Sequence, residues 1–201
     1  GSRMPEIAIP LLIFLLPLAY SPGPGNMVFA ANGARFGFSA TIPANAGYHI
    51  ATLAVTIAIG LGFAAALERF PTAFHTLKIA GALYVLWLAA KLIRSGILEG
   101  SAQPQPVSFW GGIVLLVFNP KAYVIIALMF TQFLGTSEGN PLLPVLLIAT
   151  LFTLNNLVAF SLWAWAGDAI ARRFRTPESA ARLNLLFGTL LAATALWMLI
   201  A

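Results

Sequence analysis

Long apolar stretches alternate along the chain with short polar interruptions, which indicates helices that cross a membrane. A bilayer core about 30 Å thick is crossed by a helix of about 20 mainly apolar residues. Divided at its charges, prolines and glycines, the sequence gives six such spans, at about 7–33, 39–66, 72–94, 108–134, 142–167 and 182–201. We therefore predict an all-α membrane protein with six transmembrane helices.

Composition supports this class and excludes others. Of the 201 residues, 60% are hydrophobic and only 8% are charged, whereas soluble domains have about 45–50% apolar and about 25% charged residues. These values exclude an ordinary soluble enzyme, a disordered chain and a nucleic-acid binder. With no cysteine and no metal-ligand motif, we predict no metal site and no cofactor.

The N-terminal residues have two interpretations. Residues 1–3, Gly-Ser-Arg before Met4, are typical of a cloning scar, and we exclude them from the fold prediction. The apolar stretch at residues 7–20 could belong either to a signal peptide or to a first transmembrane helix. No basic region precedes that stretch once the scar is excluded, and the later spans are equally hydrophobic, so we favour a first transmembrane helix.

Basic residues in the short loops predict the orientation, because cytoplasmic loops carry an excess of Lys and Arg. The loops after spans one, three and five and their edges hold most of these residues: Arg35, Lys91, Arg94, Arg172, Arg173, Arg175 and Arg182. The opposite side has Arg69 and Lys78. The odd loops are therefore predicted to be cytoplasmic, and both termini to lie outside.

Three helices in each half require the halves to insert in opposite directions, so any internal similarity is predicted to be an inverted repeat. We assign residues 4–99 to the first three-helix repeat and 100–201 to the second, joined by the polar stretch 95–106. Span one is interrupted at Ser21-Pro22-Gly23-Pro24-Gly25-Asn26 and span four at Asn119-Pro120-Lys121. Proline and glycine at corresponding positions of two halves indicate a transporter's substrate site. The alternative is that these prolines only kink the helices.

Polar side chains inside the spans supply further candidate binding residues. Span two carries a stripe with helical spacing, made of Thr41, Asn45, His49, Thr52 and Thr56. In span five, Asn156 fits the face of Thr153 better than Asn155 does. Because unsatisfied polar groups are costly in hydrocarbon, the stripe is predicted to face protein or water. Packing between helices is the alternative role for Asn45, His49 and Asn156.

Lys121 is the most informative charge in the sequence. A lysine at mid-span costs roughly 2.5–3.5 kcal/mol on insertion scales, and at 1.5 Å per residue it lies about 20 Å from either end of its span. We predict that it serves the substrate site or holds the two broken helices together. No carboxylate lies at mid-span, so His49 and Lys121 are the candidates for any proton coupling.

Three segments resemble the LysE family of amino-acid exporters: SPGPGNMVFAANGARFGF, KIAGALYVLWLAAKLIRSG and FNPKAYVIIALMF. The stretch PVSFWGGIVLLVFN and the tail RRF…RLNLLFGTLLAATALW are most similar to the branch that exports cysteine and O-acetylserine. Many members carry an acidic residue just after a glycine in helix two, but here Gly47 is followed by Tyr48 and His49. The resemblance implies a homodimeric exporter of amino acids or related metabolites in the inner membrane of a bacterium.

These observations predict a secondary exporter that works by alternating access, with membrane lipids and a small-molecule substrate, an amino acid, as its partners. The substrate is expected between the two breaks, with its carboxylate at the half-helix that starts near Gly25 and Asn26. Carbonyl groups at 21–23 and 118–119 are expected to bind its ammonium group. The alternative is a channel or structural membrane protein without carrier activity.

Overall fold

A computed structural model describes residues 3–63, 105–134, 142–173 and 177–200, together with scattered positions between 72 and 94. Within these residues the structure contains helices and no strand. We number the helices α1 (Arg3–Tyr20), α2 (Pro24–Phe36), α3 (Ile42–Ala58), α4 (Phe109–Val117), α5 (Pro120–Phe133), α6 (Leu142–Arg173) and α7 (Pro177–Ile200). A 3-10 turn, Phe38–Thr41, precedes α3, and a π-helical turn, Ile59–Phe63, comes after it.

Spans one, two, four, five and six predicted from the sequence therefore coincide with described helices. Span three and most of the linker 95–106 lie largely outside the described residues, so the count of six and the inverted repeat stay predictions. Two segments are long and apolar enough to cross a membrane alone, Phe38–Gly62 and Leu142–Arg173. Two bent helix pairs bring the number of candidate spans in the described residues to four.

The predicted breaks in spans one and four are confirmed. Glu6–Tyr20 and Pro24–Phe36 meet at 60°, and Phe109–Val117 and Pro120–Phe130 meet at 62°. In both cases a proline occupies the first turn of the second helix, where its missing N–H costs nothing. At each break, the segment that ends the first helix of the pair therefore also starts the second helix.

Several helix ends differ from the predicted ones. Helix α1 already includes Arg3, one of the residues excluded as a scar, and α6 continues to Arg173 instead of ending at 167. Helix α7 begins at Pro177 instead of 182, because proline fits the first helical position and Glu178 suits the positive end of the helix. A charge or a proline near a membrane boundary thus does not end these helices.

Glycines bring two pairs of helices into very close contact. A Cβ atom at Gly33 or Gly167 would overlap a backbone carbonyl group across the α2–α6 interface, that of Ala164 or Ala30 respectively. A Cβ atom at Gly47 would likewise overlap the Phe109 carbonyl group between α3 and α4. Small residues at helix contacts are the usual way to pack membrane helices. These two tight pairs hold the residues of the breaks and of the polar stripe near one another.

Candidate functional site

The side chain of Lys121 joins the two breaks. Its Nζ donates to the carbonyl oxygen of Ser21 at 2.9 Å and to Ser21 Oγ at 3.2 Å, and it lies 3.4 Å from Asn26 Oδ1. These partners belong to the first break, whereas Lys121 itself occupies the first turn of α5. The predicted role of holding the two broken helices together is therefore consistent with its contacts.

The N-terminus of α2 lies directly beside this ammonium group. Gly23 is the N-cap residue, so no side chain caps the helix, and the first helical residue is Pro24. A Cβ atom at Gly23 would lie 2.9 Å from Lys121 Nζ. The next two residues, Gly25 and Asn26, are buried, and their backbone N–H groups have no partner within the helix. Two sources of positive potential, the helix end and the ammonium group, thus meet at one point.

Asn26 also connects the two halves of the first broken helix. Its Nδ2 donates to the carbonyl oxygen of Ala19 at 3.0 Å, and the side chain is only 2% exposed. Because Ala19 lies in the last turn of α1, this bond satisfies a carbonyl group that the helix itself leaves without a partner. The break is therefore stabilised by a side chain rather than left open.

The second break has a different local structure. Asn119 is the N-cap of α5, and its Oδ1 accepts from the backbone N–H of Lys121 at 3.1 Å. Its Nδ2 donates to the hydroxyl oxygen of Tyr48 at 2.8 Å. One buried amide thus caps its own helix and connects the break to α3.

A second group of predicted residues lies between α3 and α6. His49 Nδ1 lies 2.9 Å from the carbonyl oxygen of Asn45, and its Nε2 lies 2.9 Å from Asn156 Nδ2. Asn45 Nδ2 donates to Ser161 Oγ at 3.0 Å. The three predicted side chains, Asn45, His49 and Asn156, are therefore brought together, and all are buried.

Aromatic rings fill the space around these polar groups. The rings of Tyr48 and Phe160 are 4.6 Å apart between centroids, and Phe29 lies 5.1 Å from Phe160. A Cβ atom at Gly25 would overlap the Phe160 ring. The aromatic cluster therefore separates the uncapped end of α2 from the α3–α6 contact.

Three residues of the site, Tyr48, Phe160 and Ser161, were not predicted from the sequence. An aromatic residue in an apolar helix is indistinguishable from ordinary packing in a single sequence, although Tyr48 stands beside His49 in the polar stripe. The predicted residues also form two groups rather than one, and the bond between Tyr48 and Asn119 connects them. In addition, the Ser21 carbonyl group expected to bind a substrate ammonium group is occupied by Lys121.

The remaining predicted residues lie at the edges of the first group. Pro22 is exposed, and Pro120 is buried at the start of α5. Among the described residues, no group of three or more His, Cys, Asp or Glu side chains could hold a metal ion.

Comparison with known proteins identifies the family. The model of the LysE type translocator family matches residues 16–201. The chain belongs to this family. A cysteine/O-acetylserine efflux protein of Salmonella typhimurium is 32% identical to this LysE-family chain over 182 residues, covering 89% of this chain and 90% of the relative. A leucine efflux protein of Enterobacter sp. is 29% identical over 176 residues, with 84% and 83% covered. No solved structure matches the chain.

Membership confirms the resemblance that the three sequence segments indicate. The LysE-family chain is a membrane transporter rather than an enzyme, and its described helices include segments long and apolar enough to cross a membrane.

Proposed function

We propose that this protein exports amino acids or closely related metabolites as a secondary transporter, and that Lys121 and the N-terminus of α2 bind the substrate carboxylate. The observation that carries this proposal is the ammonium group of Lys121 at an uncapped helix end. Its hydrogen-bond partners are neutral oxygens, and no carboxylate among the described residues pairs with it. Lys121 is half-buried, and a cation taken partly out of water without a counter-ion is costly, so an anionic ligand is favoured there.

The names of the relatives support the substrate class. They are efflux proteins for cysteine and O-acetylserine or for leucine, and these molecules share an α-carboxylate and an α-ammonium group but differ in side chain. A site made of backbone N–H groups and one lysine recognises the shared carboxylate and leaves the side chain unspecified. We propose an amino acid as the substrate class without choosing its side chain.

The contact that joins the two broken helices supports a proposal of alternating access. Lys121 holds the first break through the Ser21 carbonyl group. A substrate carboxylate competes for the same ammonium group, so binding weakens the contact between the breaks and allows the helices to separate. The bound amino acid thereby favours a rearrangement that the empty protein resists.

Counterflow in proteoliposomes tests this function. Purified protein is reconstituted with unlabelled L-leucine or O-acetyl-L-serine inside, and uptake of the same labelled compound is measured from outside. A carrier gives transient accumulation of label above equilibrium, because exchange is faster than net flux. Simple equilibration without overshoot supports the alternative, a channel, and no flux with any amino acid contradicts transport of this class.

We further propose a homodimer in the inner membrane of a bacterium, with both termini in the periplasm. The positions that test this orientation, 138 and 175, lie outside the described residues. In the cysteine-free chain, a cysteine introduced at 138 is expected to react with an impermeant thiol reagent added outside intact cells, whereas one at 175 is not. The opposite pattern contradicts the orientation.

A further inference from the structure

Polar side chains between α3 and α6 form a strip that the proposed carboxylate site does not use. Asn45 contacts Ser161, and one turn along α3, His49 contacts Asn156. Residue numbers thus rise along α3 while they fall along α6, so the two helices run antiparallel at this contact. Continued at helical spacing, the strip extends toward the C-terminal end of α3.

Three atoms along this strip have no hydrogen-bond partner among the described residues: Asn45 Oδ1, Thr56 Oγ1 and Thr153 Oγ1. Their residues are 7%, 0% and 8% exposed. The antiparallel register places Thr153 opposite the turn of Thr52, and Thr56 lies one turn further along α3, so both hydroxyls lie beyond His49 on the same side. By contrast, the hydroxyl of Thr52 donates to the Tyr48 carbonyl oxygen at 2.7 Å and is satisfied.

Water is the expected partner of these three atoms. A buried polar group without a hydrogen bond costs about 1–3 kcal/mol, and lipid tails offer no partner. Buried water in proteins occupies such positions and bridges otherwise unsatisfied polar groups. Water on either side of His49 would connect the imidazole to polar atoms in both directions along the strip.

The contacts of His49 define its protonation state and the result of adding a proton. The Asn45 carbonyl group can only accept, so Nδ1 carries the hydrogen, and Nε2 then accepts from the amide nitrogen of Asn156. A proton added at Nε2 would place two donors opposite each other. The Asn156 amide must then rotate and present its oxygen, so the charge of His49 and the orientation of Asn156 are coupled.

Several aromatic, charged and titratable side chains surround His49, but none of those on the described helices is a second imidazole. Tyr48 is in ring contact at 5.0 Å between centroids, and Phe160, at 5.2 Å, is neutral. Helix α4 has no charged residue. The remaining charged or titratable side chains on the described helices that pack nearby are Arg35 on α2, Lys121 and Tyr123 on α5, and Asp168, Arg172 and Arg173 on α6.

Asp168 and Lys121 do not compete with His49 for binding a proton on the strip. Asp168 is the first of the α6 charges after Asn156, and it lies about 18 Å further along the helix at 1.5 Å per residue. Lys121 already binds the oxygens of the first break. Histidine is also the side chain that gains and loses a proton near neutral pH.

We propose that His49 is the site at which export is coupled to a proton, and that Asn156 is the positioning residue that responds to its charge. This inference rests on the proposed export function and on the predicted orientation. A proton enters from outside past Thr56 and Thr153, binds Nε2, and leaves from the same atom toward Asn45 on the cytoplasmic side. One proton moves inward as one substrate molecule moves outward. The hydrogen bond between Tyr48 and Asn119 connects the strip to the second break.

Transport driven by a pH gradient tests the assignment, with L-leucine and O-acetyl-L-serine as probes in proteoliposomes. In wild type, a gradient of one pH unit is expected to balance about a tenfold substrate ratio for one-for-one exchange. His49→Gln is expected to lose this gradient-driven accumulation while retaining counterflow, and the matched control His75→Gln is expected to behave as wild type. A His49→Gln variant that still accumulates substrate overturns the assignment. Absence of counterflow in wild type overturns the proposed function, and this inference with it.

A spectroscopic readout does not depend on transport or on how His49→Gln folds. The chain contains two histidines, so His75→Gln protein labelled with ¹⁵N-histidine reports on His49 alone. We expect the Nδ1–H tautomer at high pH, and we expect substrate and Asn156→Leu each to shift the pH at which Nε2 gains its proton. A protonation midpoint that neither substrate nor Asn156→Leu changes overturns the inference.

The unpartnered hydroxyls provide a third test. Replacing Thr56 and Thr153 by valine keeps the shape of each side chain and removes the polar atom. The double variant is expected to lose rate in gradient-driven transport while reaching the same final substrate ratio. Thr52→Val is the matched control, because that hydroxyl is bonded to its own helix. Equal rates for the double variant and wild type contradict proton delivery along this strip.

Discussion

The two breaks bend their helices almost equally, by 60° and 62°, but they expose different chemistry. At the first break, Gly23 leaves the N-terminus of α2 without a side-chain cap. At the second break, Asn119 caps α5 with its own amide oxygen. Lys121 then extends from the capped helix to the uncapped one.

This difference assigns separate roles to two features that are alike in sequence. In the proposed site, the first break provides backbone N–H groups to the substrate because no side chain caps them. The second break has an N-cap of its own and provides a cation to the proposed site instead. Similar bends at corresponding positions therefore do not imply equivalent binding roles.

Removing the charge of Lys121 at the second break is expected to have the largest effect on transport. Lys121→Ala should abolish transport while the protein still inserts and purifies as a homogeneous species. Lys121→Arg is the matched control, since it keeps the charge but presents a planar group of different reach, and it is expected to retain part of the activity. Failure of Lys121→Ala to reach the membrane would instead assign the lysine a purely structural role.

Closing the first break is expected to remove substrate binding without loss of stability. Replacing Pro22 and Pro24 by alanine should let α1 and α2 join into a continuous helix, because alanine is the best helix former. The backbone N–H groups of the first break then bond internally. Substrate-induced thermal stabilisation of the purified protein measures the loss.

Pro10 provides the control for that variant, because it lies inside α1 and away from the break. Its replacement by alanine should also favour the helix but leave substrate binding intact. Full stabilisation by substrate in the variant with both Pro22 and Pro24 replaced would rule out capture of the carboxylate by backbone groups.

Replacing Asn26 or Asn119 is expected to have the smallest effects, mainly on substrate binding for Asn26 and mainly on stability for Asn119. Asn26→Ala removes a bond to Ala19 and a contact with Lys121, so we expect weaker substrate binding by about 1 kcal/mol. Asn119→Ala removes an N-cap, which costs about 1 kcal/mol of stability, with a smaller change in affinity. Melting temperatures and binding isotherms for both variants separate these outcomes, and identical profiles would contradict the division of roles.

The sequence predicts the parts of this site that depend on local chemistry. Two prolines and two glycines at 22–25 are incompatible with a continuous helix, proline at 120 matches them in the second half, and Lys121 is conspicuous because a charge at mid-span is rare. The stripe with Asn45 and His49 follows from helical spacing alone. These features need no knowledge of how the helices pack.

The rest depends on contacts between distant helices. That Tyr48 bonds to Asn119, and that Phe160 packs against Gly25, is determined by the rotation and register of helices far apart in sequence. A single sequence contains no signal for that register, and an aromatic side chain in an apolar helix resembles ordinary packing. The extension of α6 to Arg173 also depends on such contacts, since Asp168, just beyond the predicted end, accepts from the backbone N–H of Phe38 at 2.9 Å.

The central claim, that the first break and Lys121 recognise a carboxylate, is tested most directly by comparing an amino acid with its carboxyl amide. The amino acid that exchanges in counterflow is added to purified wild type and Lys121→Met protein, and the melting temperature is measured. We expect the free amino acid to stabilise the wild type, its amide not to do so, and neither compound to stabilise Lys121→Met. Equal stabilisation of the wild type by the amino acid and its amide would contradict carboxylate recognition.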